Sequence, residues 1–158
     1  GRIGGMARVH DLLSQDSIGQ TTVADVIESM ADMMRNDLSA SGREIQITVD
    51  AQPGTMTSEK ASVFALVVNE LMWNAVEHGL NERIHGNIRV STEIHDEQLS
   101  VSVTDDGISI PSGFDLDRDQ GLGLTIVRNL VEKNLNGTFD ITASDTLSGA
   151  VATVQFRP

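Results

Sequence analysis

Asn69-Glu70-Leu71-Met72-Trp73-Asn74-Ala75-Val76-Glu77-His78-Gly79 is a helix by its spacing. Residues four apart lie on one helical face, so Glu70 and Asn74 point the same way, and Glu77 and His78 follow one turn later. On the other side Phe64, Val68, Leu71 and Ala75 recur at helical period and form an apolar stripe. A helix that buries one side and aligns a carboxylate, an amide and an imidazole on the other is predicted to hold something polar. A merely solvated face of an amphipathic helix shows the same pattern, so the rest of the chain has to decide.

Working outward, this helix is predicted over 58–78, with Gly79 as its C-cap. Before it, Val23, Val26, Ile27, Met30, Met33 and Met34 mark a helix over 22–38, where Thr22 and Asp25 resemble a capping box. Glu44–Asp50 alternates as a strand, and Gln52-Pro53-Gly54-Thr55 is a turn signal. After the helix, 86–95 and 98–104 read as a hairpin closed at Asp96-Glu97. Residues 105–121 hold three Gly, one Pro and five Asp, a long loop of the kind that is usually functional or disordered. A helix over 122–135 and strands over 138–143 and 150–156 finish the chain, while residues 2–14 carry a short helical period through Ile3, Met6 and Leu13. Helices interspersed with mostly antiparallel strands predict an α+β fold, a two-layer sandwich with one mixed sheet covered on one face by three helices.

Composition narrows the function. At 158 residues this is about one domain. Cysteine is absent, which excludes disulfides and thiolate metal sites and fits a cytoplasmic protein. The longest nearly apolar run, 63–68, is too short to cross a bilayer. A net charge of −12 with no basic cluster argues against nucleic acid and anionic membrane as partners. A polyphosphate would therefore need local devices: a divalent cation, backbone N–H groups or a helix N-terminus.

Two further motifs supply such devices. Val103-Thr104-Asp105-Asp106-Gly107-Ile108-Ser109-Ile110-Pro111 lies at a strand end, where a carboxylate can accept a hydrogen bond from an exocyclic amine and Gly107 permits close backbone approach. Gln120-Gly121-Leu122-Gly123-Leu124-Thr125 opens a helix, where exposed N–H groups suit an anion. It is a poor dinucleotide fingerprint: Ile126 stands where a third glycine belongs, and a loop rather than a strand precedes it.

In order and spacing the three motifs resemble the GHKL ATPase superfamily over about residues 22–158. Glu70 and Asn74 match its N box; Asp105, Gly107 and Ile110-Pro111 its first glycine box; Gly121, Gly123 and Leu124 its second. Residues 121–141 and the N-terminal RIGGMARVHDLL look most like sensor histidine kinases of the PdtaS-like type. The resemblance implies a Bergerat-type sheet that binds ATP and Mg²⁺, with Asn74 on the metal and Asp105 on the adenine amine. Glu70 would be the catalytic carboxylate. His78, Gly107, Ile110, Gly121, Leu122, Gly123, Leu124 and Thr125 would surround the nucleotide, and 112–120 would form a lid. It further implies that 1–16 is the end of a dimerisation hairpin and 22–158 the catalytic domain. The γ-phosphoryl would go to a histidine of a dimerisation and phosphoacceptor domain outside this fragment, for relay to a response regulator receiver domain.

Three departures stand out. Ser109 replaces the second glycine of the first box; Glu77 stands where many such kinases carry Lys, leaving Arg83, Arg118 or Arg128 to compensate; and the lid is short, with Phe114 as its lone aromatic residue. Of the four histidines, His78 faces the motif side of its helix or simply ends it, His85 and His95 fall at strand ends, and His10 lacks the sequence context of a phosphoacceptor. An anti-sigma-factor serine kinase, or a nucleotide-sensing module without transfer activity, are the alternative readings.

Overall fold

The computed structural model describes residues 20–108, 110, 114, 115, 118, 122–144 and 148–158. The elements are β1 (Gln20–Thr22), α1 (Val23–Ala40), β2 (Glu44–Asp50), β3 (Thr55–Thr57), α2 (Ser58–Asn74), a π-helical segment (Ala75–Leu80), β4 (His85–His95), β5 (Gln98–Asp105), α3 (Leu122–Asn134), β6 (Thr138–Ala143) and β7 (Ala150–Phe156). Five strands form one sheet in the order β2-β4-β5-β7-β6, with β2–β4 parallel and the other pairs antiparallel. This is the expected α+β sandwich.

The layers follow from the two periodicities. Alternate residues of the central strands, among them Val90, Leu99, Val101, Val154 and Phe156, are buried against Ile27 and Met30 of α1, Phe64, Val68 and Leu71 of α2, and Val127 and Val131 of α3. Phe64 and Phe156 meet with ring centroids 5.7 Å apart across the layers, an edge-offset contact that aromatic quadrupoles favour. The β4–β5 hairpin turns at Asp96 and Glu97, both left-handed (φ 52° and 65°), as a primed hairpin turn requires. Its register pairs Ile88 with Asp105, which fixes Asp105 at the last rung of β5.

Four sequence expectations change. Helix α2 does not continue regularly to His78 with Gly79 as its cap: it gives way at Ala75 to the π-helical segment, and Gly79 lies inside that segment. The residue leaving it is Asn81, with φ 54°. Thr22 makes no side-chain cap of α1, so no capping box forms; the first N–H of the helix, Val23, donates instead to Gly54 C=O at 3.0 Å. That contact accompanies a small antiparallel sheet of β1 and β3, where the sequence predicts only the start of a helix at Thr22 and a turn through Thr55. Asp105 belongs to β5 rather than to the following loop. The N-terminal piece over 2–14, His10, Ser109, Pro111, Gly121 and most of the lid fall outside the described residues.

Candidate functional site

The π-helical segment is the local feature that builds the site. Such segments are rare and cluster at functional positions. Here the wider turn presses Gly79 onto the end of β5. Gly79 C=O accepts the Ile108 N–H at 2.8 Å. A Cβ on Gly79 would lie 2.6 Å from all three atoms of the Asp105 carboxyl group, so only glycine fits. Gly107 and Gly149 close on the same group: Gly107 N–H donates to Asp105 Oδ1 at 2.9 Å, and a Cβ on Gly149 would stand 2.1 Å from that oxygen. Three glycines from three separate segments thus enclose one carboxylate that is only 4% exposed.

A cavity of about 170 Å³ opens beside it. It has room for a planar heteroaromatic ring, with the rest of a ligand outside. Leu71, Asn74, Ala75, His78 and Gly79 line one side; Val103, Asp105, Ile141, Ala150 and Ala152 of the sheet line another, and Ile108 and Ile110 complete it. Apolar walls with a few convergent polar groups are the usual make-up of a ligand site.

Burial pushes the Asp105 carboxyl above its ordinary range; the N–H groups of Gly107 and Ala150 and the Arg83 charge only partly offset this, and Asp106 adds to it. Its neighbour goes the other way. Partial burial works against the Asp106 charge, but hydrogen bonds from the Asn87 side chain and N–H, with Arg83, outweigh it and hold that carboxyl low. Asp106 is a clamp: Asn87 N–H and Nδ2 donate to its two oxygens at 2.9 and 2.8 Å, tying the loop after β5 to β4.

The structure therefore brings Asn74, His78, Asp105 and Ile110 to one cavity, with Gly107 behind the carboxylate. Glu70 does not line that cavity. It lies half-buried beside α3, its Oε2 3.5 Å from where a Gly123 Cβ would sit. Leu122 begins α3; Leu124 packs on the core and Thr125 is half-buried. Arg83 donates to Asp106 C=O at 3.2 Å, and Arg128 pairs with Glu132 at 3.0 Å. His85 and His95 are exposed, beside Glu44 and Asp96. Sequence reasoning missed Gly149, Ala150 and Ala152. Ala150 and Ala152, two apart on the inward face of β7, leave room for a ligand, and that room becomes a cavity only once α2 faces it.

Residues 59–158 match the family model of histidine kinase-, DNA gyrase B- and HSP90-like ATPases. The chain belongs to that family. It is 35% identical over 138 residues, 87% of its length, to "Sensor histidine kinase PdtaS" of Mycobacterium tuberculosis. It is 34% identical over 103 residues, 65% of its length, to "Blue-light-activated histidine kinase 2" of Erythrobacter litoralis. It spans 27% and 30% of the length of these two relatives. The solved histidine kinase domain of the E. litoralis EL346 blue-light activated kinase superposes with a TM-score of 0.77 at 25% identity, covering 99% of this chain and 75% of that one. Among the described residues no helix is long and apolar enough to cross a membrane.

Proposed function

We propose that residues 22–158 are the catalytic domain of a sensor histidine kinase, which binds Mg-ATP and donates the γ-phosphoryl to a histidine of a dimerisation domain for relay to a response regulator. One observation carries the reading: a buried carboxylate, Asp105, enclosed by Gly79, Gly107 and Gly149 at the wall of an apolar slot. A carboxylate so placed accepts the exocyclic amine of adenine, and the apolar walls take the ring.

The donor set fits a nucleotide-borne Mg²⁺. Among the described residues no three carboxylate or imidazole groups come together as a metal cage. Asn74 offers one amide oxygen at the cavity, and Mg²⁺ commonly takes few protein ligands beside phosphates and waters. When bound, the ion neutralises charge on the phosphoryl groups. The remaining work belongs to the chain. The start of α3, with Gly121, Leu122, Gly123, Leu124 and Thr125, would hold the phosphates, His78 would border the nucleotide, and Glu70 would orient or deprotonate the accepting imidazole. Most of the barrier reduction would come from positioning.

On this reading 1–16 is the end of the dimerisation hairpin, the partners are the phosphoacceptor domain and a receiver domain, and the protein acts in the cytoplasm. The test supplies a dimerisation hairpin bearing its histidine, with γ-labelled ATP. Acid-labile, base-stable label on the hairpin, lost with Glu70→Gln, is expected. ATP binding with no transferred label would replace the kinase by a nucleotide-sensing module, and label on a serine of a partner would favour the anti-sigma-factor kinase.

A further inference from the structure

Asn81 occupies a backbone conformation that suits glycine. Its φ of 54° and ψ of −123° are those of the first central residue of a type II′ turn, and Arg83 N–H closes that turn on Leu80 C=O at 3.0 Å. A residue with a side chain is strained there and persists only when its surroundings hold it. The turn follows directly on the π-helical segment that carries Gly79, so whatever holds the turn also holds the segment's end.

Arg43 is what holds it. Its Nη2 donates to Asn81 C=O at 2.7 Å and to Arg83 C=O at 2.8 Å, and its Nε to Arg83 C=O at 3.0 Å. Arg43 is itself anchored: α1 ends with Gly42 at φ 79°, and Arg43 N–H caps Leu38 C=O at 3.0 Å. Its side chain lines no part of the cavity. A planar guanidinium can span two carbonyls at once, which an ammonium cannot do as well.

We propose that Arg43 is a positioning residue for the site around Asp105. By gripping Asn81 and Arg83 it keeps the II′ turn and the π-helical segment wound, so that Gly79 stays against Asp105 and bonded to Ile108. The geometry stands by itself; only the identity of the ligand rests on the proposed function.

The experiment compares wild type, Arg43→Ala, Arg43→Lys, Asn81→Gly and the Arg43→Ala/Asn81→Gly double variant. Three quantities are read: ATP affinity by calorimetry, hydrogen exchange of the Ile108 amide, and titration of the Asp105 carboxyl by NMR. Arg43→Ala is expected to weaken ATP binding by about tenfold and speed Ile108 exchange by a similar factor. It is also expected to move the Asp105 titration down toward the ordinary carboxylate range. Arg43→Lys recovers part of each. Glycine at 81 adopts the turn unaided, so in that background losing Arg43 changes affinity by no more than about twofold. If Arg43→Ala lowers the melting temperature but leaves Ile108 exchange and the Asp105 titration untouched, Arg43 is a loop staple and the proposal falls. It falls equally if Asn81→Gly suppresses nothing. Absence of ATP binding in the wild type would overturn the proposed function, while exchange and titration would still decide Arg43.

Discussion

Replacing Gly79 by alanine puts the central packing to work. The new Cβ would stand 2.6 Å from Cγ, Oδ1 and Oδ2 of Asp105, short of an ordinary 3.4 Å contact by 0.8 Å. Asp105 has little room to yield. Its backbone sits in β5 between β4 and β7, its Oδ1 holds the Gly107 N–H, and Gly149 closes on that oxygen. Overpacking of this kind costs about 1–3 kcal/mol. Alanine regains up to about 1 kcal/mol over glycine in a helix. The net loss is therefore about 1 kcal/mol, a fall in melting temperature of about 3 °C for a chain this size. Binding suffers more, because the displaced carboxylate loses a hydrogen bond to ligand worth about 1.5–3 kcal/mol, or roughly tenfold to hundredfold in affinity. Gly42→Ala does not serve as the control. Its φ of 79° anchors Arg43, so Gly54→Ala replaces it as the control: the new Cβ there would stand 2.7 Å from Ile94 Cδ1, away from the cavity lining, so crowding lowers stability while binding stays intact. Thermal melts and ATP calorimetry on both variants decide the matter. A Gly79→Ala protein that binds ATP like the wild type would refute the assignment of Asp105 as the ligand's acceptor.

Other predictions follow from the same geometry. The raised Asp105 pKa means the folded chain binds more protons than the unfolded chain from 3.8 up to the raised value. Stability without ligand should therefore fall as pH rises through that window, while ATP binding strengthens as the carboxylate forms; urea midpoints against pH should flatten there in Asp105→Asn. Asp106 has the opposite sign: its lowered pKa adds stability that is present above 3.8 and lost as pH falls through the lowered value. Asp106→Ala should lower stability by about 1 kcal/mol at neutral pH, discounted for partial exposure, and by less in acid, as urea melts at two pH values would show. Ala152→Leu should fill the cavity, leave the melting temperature within a few degrees and abolish ATP binding in calorimetry; retained binding would show that the ligand sits elsewhere.

Much of the fold was legible because it rests on periodicity. Glu44–Asp50, Thr138–Ala143 and Ala150–Phe156 stand where alternation put them, and the stripe of Phe64, Val68, Leu71 and Ala75 is buried as its spacing required. What escaped depends on contacts between distant segments. Nothing local marks Ala75 as the start of a π-helical segment, whose Gly79 C=O meets Ile108 N–H across 29 positions of sequence. Strands β1 and β3 are three residues each and form only by pairing with one another. At the site, Asn74, His78, Asp105 and Ile110 could be named from motif order, because each motif carries its own chemistry. Gly149, Ala150 and Ala152 act by lacking side chains, and emptiness has no signature until the facing helix is in place. Thr22 shows the converse: a good capping residue whose side chain makes no cap, while the N–H of Val23 next to it bonds Gly54 C=O across the chain.

The most direct measurement is a calorimetric titration of the chain with ATP, with and without Mg²⁺, beside Asp105→Ala. The account predicts saturable binding that Mg²⁺ strengthens and that the substitution weakens by tenfold or more, on the order of one charged hydrogen bond. Equal affinity in both proteins, or no binding in either, would contradict it.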